Sequence, residues 1–130
     1  MNRSNSIVWL VLFVAVGGAY AQGRGPQTNP DQPPVVEVVG CLSQMGANWI
    51  LASATDPAAA TTSFTTSEAV KGAAEKPLGT QQYRLLGTSP FSPDRHKGHK
   101  MVVRGLLIKN GSETRINLTS FQMVAEACGK

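Results

Sequence analysis

From residue 35 to residue 125 the chain is cut into five short runs, and the residues that do the cutting are turn-formers. The runs cover residues 35–42, 48–52, 82–87, 100–109 and 114–125. They are rich in Val, Ile, Leu and Thr, side chains that suit a pleated, partly buried surface. Residues 43–46 (Ser-Gln-Met-Gly) separate the first two runs, so these pair as a hairpin. Asn110-Gly111 separates the last two. Asn and Gly both tolerate positive φ, which a tight hairpin turn requires. Gly40, inside the first run, marks a bulge or sharp bend, because no Cβ obstructs a close approach there. In the last run Ile116 and Leu118 alternate with polar neighbours, whereas Phe121 and Met123 fall on the other parity. A bulge near Thr119-Ser120 restores them to one face.

Two segments interrupt this pattern. Residues 54–80 are rich in Ala, Thr and Ser and form an insertion, expected to be flexible. Within it, residues 67–76 suit a short helix, with Ser67 as N-cap, Glu68 in the first turn and Pro77 ending it. Residues 88–97 hold Pro90 and Pro93, which exclude a long helix but allow one turn around Phe91. Five strands in this order, with an irregular or short-helical connector between the third and fourth, predict an all-β domain. Its expected form is a small five-stranded OB-like barrel; an SH3-like barrel or a small β-sandwich is the alternative. At 130 residues the chain is too short for a TIM barrel or a full two-half dinucleotide fold.

The N-terminus reads as a signal peptide spanning residues 1–21. Arg3 supplies the charge, residues 7–16 are an unbroken apolar run, and Ala19-Tyr20-Ala21 places small residues before a cleavage point between Ala21 and Gln22. Ten apolar residues make about 15 Å of helix, half a hydrocarbon core, so stable membrane insertion after cleavage is not expected. Residues 22–34 carry four prolines and almost no apolar side chains, the composition of a disordered spacer. The single domain is then residues 35–130. Cleavage removes Arg3 and no acid, which takes the net charge from +4 to +3. The destination is secreted or periplasmic, where the only two cysteines, Cys41 and Cys128, are expected to form a disulfide.

Several elements together resemble a family of small exported bacterial domains of unknown function with an OB-like barrel. They are Val39-Gly40-Cys41-Leu42, Trp49-Ile50-Leu51, Tyr83-Arg84-Leu85-Leu86-Gly87, Gly98-His99-Lys100-Met101-Val102-Val103-Arg104-Gly105 and Ile116-Asn117-Leu118-Thr119-Ser120, closed by Cys128. The resemblance covers about residues 35–128 and implies the barrel fold. It implies no catalytic residues.

Chemistry is sparsely represented. His96 and His99 are the only histidines, and Asp94 lies nearby. Two imidazoles leave a tetrahedral zinc half coordinated, so no metal site and no cofactor are expected there. The chain has no Gly-x-Ser-x-Gly elbow, no Gly-rich phosphate loop after a strand and no basic run. No catalytic residues are therefore assigned, and an enzyme is not expected. Trp49 and Tyr83 fall on strands that form the usual ligand face of OB barrels, although a small domain also needs them as core. Export and modest charge argue against nucleic acid as partner. The expected function is a monomeric, non-catalytic binding or structural module, with a small-molecule, glycan or protein ligand. The alternative is an exported metal-dependent enzyme or metal-binding protein using the His96/His99 loop.

Overall fold

The structure, a computed structural model, describes residues 32–128. The signal segment, its cleavage point at Ala21 and Gln22, and all but the last three residues of the spacer lie outside the described residues.

Six strands and one helix make up the domain, in the order β1 (Val35–Met45), β2 (Asn48–Ala54), β3 (Ala58–Ala59), α1 (Ser67–Glu75), β4 (Gln81–Leu86), β5 (Lys100–Asn110) and β6 (Glu113–Ala125). Two 3-10 turns, Ser89–Phe91 and Pro93–His96, fill the connector between β4 and β5. The all-β expectation holds. Five strands close a hydrogen-bonded ring, β1–β2–β4–β6–β5 and back to β1, with the two-residue β3 added at the outer edge of β1. All pairings are antiparallel except β4 with β6, where Arg84, Leu85 and Leu86 run parallel to Arg115, Ile116 and Asn117.

β1 closes the ring by serving two neighbours. Its first half pairs with β5 and its second half with β2, and Cys41 belongs to both registers. The strand must turn between them, and Gly40 sits at the turn. A Cβ there would stand 2.8 Å from Leu51 Cγ and 2.9 Å from Ala54 Cβ. The bulge expected in the last strand is also present. Arg104 opposes Ser120 and Gly105 opposes Leu118, so Thr119 is the extra residue. The shift turns Phe121 into the core, whereas Met123 stays 38% exposed. The reading of both as core residues is thus corrected: Met123 sits near the end of β6, where little remains to cover it.

The ring interior is filled by Val36, Val38, Leu42, Trp49, Leu51, Tyr83, Leu85, Met101, Val103, Ile116, Leu118 and Phe121. A second, smaller cluster lies outside it. Val39 and Val102 face outward as a cross-strand pair and are covered by Ala73 of α1, with Val70 and Val124 at the margin. This explains why the first run is apolar on both faces: its outer face is also buried. The N-cap of α1 is Thr66, whose hydroxyl accepts from Ala69 N at 3.1 Å, one residue earlier than the expected Ser67. α1 has no basic residue in its last turn. Its C-terminal carbonyls are instead met by Lys100 of β5, whose Nζ donates to Ala74 O at 3.1 Å and Lys76 O at 2.7 Å.

Cys41 and Cys128 are joined by a disulfide with a Cα separation of 5.5 Å. Among the described residues, no helix is long and apolar enough to cross a membrane.

Candidate functional site

The outer surface of the ring has one covered and one open face. Residues 54–80 lie across β1, β5 and β6 and are held there by polar contacts. Arg104 and Glu37 are direct partners across β1 and β5. The Arg104 guanidinium donates to Glu37 Oε2 from Nε at 2.8 Å and from Nη2 at 2.7 Å. Its Nη1 donates to Thr62 Oγ1 at 2.6 Å and to Phe64 O at 2.7 Å. Ser120 meets Thr65 N and Oγ1, and Thr119 donates to Ser63 O.

The open face belongs to β2, β4 and the β5–β6 hairpin. Ile50, Arg84 and Arg115 form a transverse row in register. Two arginines side by side on one face repel each other. Glu113, from the start of β6, lies between them. Its carboxylate accepts from Arg115 Nη2 at 2.7 Å and Nε at 2.9 Å, and it pairs with Arg84 Nη1 at 3.5 Å. The Arg115 hydrogen bonds, aided by the charges of Arg115 and Arg84, hold the Glu113 carboxyl below its ordinary value. Beside this trio opens a cleft of about 290 Å3 lined by Ile50, Gln82, Arg84, Ser112, Glu113 and Thr114. The lining combines an amide, two hydroxyls, a guanidinium, a carboxylate and one apolar side chain. It can donate and accept hydrogen bonds at once. None of these positions was a candidate from sequence. The usable signal is that Arg84 and Arg115 are charges inside strands, in a chain with only 15% charged residues.

The histidines sit elsewhere, on the connector below the ring. His96 ends the second 3-10 turn and His99 precedes β5. His99 N donates to His96 O at 2.9 Å, and Gly98, at φ +85°, makes the reversal between them. Gly98 N to Leu42 O (2.8 Å) and Leu42 N to His99 O (3.1 Å) tie this loop to β1. The two Nδ1 atoms stand 3.3 Å apart. The His96 ring meets Phe121 edge-on at 5.6 Å, and burial, with the nearby His99 and Arg95, lowers its pKa below 6.5. Asp94 is exposed, and among the described residues no third His, Cys, Asp or Glu joins a metal-binding group.

Trp49 and Tyr83 do not form a stacking surface. Both are buried inside the ring, and Tyr83 OH donates to Thr55 O at 3.0 Å. Burial, then the charge of Asp56, raises the Tyr83 pKa. The small domain's need for core material favours the core over a ligand face for both, and packing puts them there.

Compared with family models, curated proteins and solved structures, the chain matches none.

Proposed function

We propose that this protein is an exported, non-catalytic binding module built on an OB-type barrel, which holds a small hydroxyl-rich ligand, such as a short glycan, in the cleft between β4 and the β5–β6 hairpin. The observation that carries the reading is the asymmetry of the outer surface. One face is closed by residues 54–80, while the other presents a polar cleft whose charges are prearranged by Glu113. Amide, hydroxyl and guanidinium groups around an apolar floor suit a ligand that offers many hydroxyls and a modest apolar face. The OB assignment is supported by the ring order and by the single parallel contact between its third and fifth strands, β4 and β6. Export is supported by the N-terminal layout and by the disulfide, which persists in oxidising compartments. The same features favour the resemblance to small exported bacterial OB-like domains. With Trp49 and Tyr83 inside the ring, base stacking on β2 and β4 has no platform, and this favours a glycan over nucleic acid.

The test is a nuclear magnetic resonance titration of the mature chain with short neutral and acidic oligosaccharides. Saturable shifts should centre on Gln82, Arg84, Ser112 and Thr114, and Arg84→Ala should abolish them. Shifts confined to another surface, or sub-micromolar binding of single-stranded DNA instead, would overturn the reading.

A further inference from the structure

The connector carries a second site, independent of the cleft. From the convergence of the two imidazoles we infer that His96 and His99 form a chelating site for a single zinc ion, bound through both Nδ1 atoms and completed by exchangeable donors. From sequence no metal site is expected here, because two imidazoles leave a tetrahedral zinc half coordinated. The structure supplies the alignment in three ways. The 3-10 turn Pro93–His96 fixes the backbone of the first histidine. The His99 N to His96 O hydrogen bond and Gly98 bring the second back toward it. The Phe121 ring, 5.6 Å away, backs the His96 imidazole from the core side.

The resulting Nδ1–Nδ1 distance is 3.3 Å. Around a tetrahedral ion with metal–nitrogen bonds of 2.0–2.1 Å, two ligating nitrogens stand about 3.3–3.4 Å apart. The bite therefore matches the span that a tetrahedral zinc requires. A square-planar ion would draw the nitrogens closer, to about 2.8–2.9 Å. Without metal, the two nitrogens share one proton in an N–H···N hydrogen bond. Zinc takes both Nδ1 lone pairs, so the ring that donates moves its proton to its own Nε2 and each imidazole stays neutral; binding weakens as the pH falls because a protonated imidazole cannot ligate. Among the described residues no other His, Cys, Asp or Glu completes the sphere, which leaves two positions for water or for a donor from another molecule.

The chain has only two histidines, which makes the test direct. The mature, disulfide-bonded protein is titrated with zinc chloride alone by calorimetry, and its imidazole nitrogens are followed by nuclear magnetic resonance. One zinc per chain is expected, with both Nδ1 resonances shifted. His96→Ala and His99→Ala should each weaken binding about tenfold or more, since losing even an outer-shell partner costs that much. His96→Gln, which keeps a polar side chain against Phe121, serves should the alanine variant fold poorly. Absence of binding, unchanged affinity in either histidine variant, or coordination through Nε2 would overturn the inference.

Discussion

At the scale of the residue, the outer face of β1 and β5 depends on one ion pair. Arg104 and Glu37 have side chains only 11% and 12% exposed, and every Arg104 donor bond serves either Glu37 or the 62–64 loop. Removing one partner of a buried pair leaves the other charge unmatched. Arg104→Ala should therefore destabilise the fold by about 3 kcal/mol in urea unfolding, a loss limited because Lys76 stands 3.7 Å from Glu37. The double variant Arg104→Met/Glu37→Leu should recover much of that loss, because the desolvation cost disappears with both charges. His96 provides a pH handle. Burial, with the charges of His99 and Arg95, lowers its pKa below the 6.5 of an unfolded chain. Below pH 6.5 the unfolded state then binds the proton more readily than the folded state. The stability that His96 contributes is present above that value and is lost as the pH falls through the folded value. Metal-free protein should show a falling unfolding midpoint across that window, and His96→Gln should flatten this component of the profile.

At the scale of the element, the helix and the bulge are each held by contacts distant in sequence. α1 is nine residues long, too short to persist alone in water. Ala73 docked on Val39 and Val102, the Thr66 cap and the Lys100 ammonium at its C-terminus hold it in place. Thr66→Ala should cost about 1 kcal/mol of global stability in denaturant unfolding. A cost near zero would show that α1 unfolds separately from the ring. Gly105 lies beside the β6 bulge, where a Cβ would collide with the Asn117 carbonyl oxygen and approach Ile116 Cγ2 to 2.7 Å. Gly105→Ala therefore forces β5 away from β6. It should reduce hydrogen-exchange protection across residues 101–107 and 116–121, with a lower unfolding midpoint.

At the scale of the whole molecule, the disulfide joins the point where the ring closes to the last described residue. It links residues 87 apart, almost the whole described domain. Loop-closure entropy for that length corresponds to roughly 4–5 kcal/mol, a large part of the 5–15 kcal/mol typical of a domain. Unfolding with and without reductant should differ by an amount of that order, and the Cys41→Ser/Cys128→Ser double variant should behave like the reduced protein. If the chain is exported as proposed, mass analysis of the mature protein should find Gln22 at its N-terminus. Retention of residues 7–16 would contradict export by cleavage.

Much of this architecture could be read along the chain because local rules govern it. The strands follow from β-branched runs, the last hairpin from Asn110-Gly111, the bend from Gly40, the bulge from the parity change after Leu118, and the helix from a short stretch ending at Pro77. The cysteine pairing was legible by elimination, with only two thiols present. Long-range packing decided the rest. Residues 54–80 have few large apolar side chains, and their place on the ring comes from Arg104, Ser120 and Lys100, all distant in the chain. The cleft was invisible because Arg84 and Glu113 are 29 positions apart and become neighbours only through the parallel β4–β6 contact. The two histidines were close in sequence from the start. What the fold added was their convergence, because a loop sequence states proximity, whereas ring orientation depends on Leu42 and Phe121, which belong to other strands.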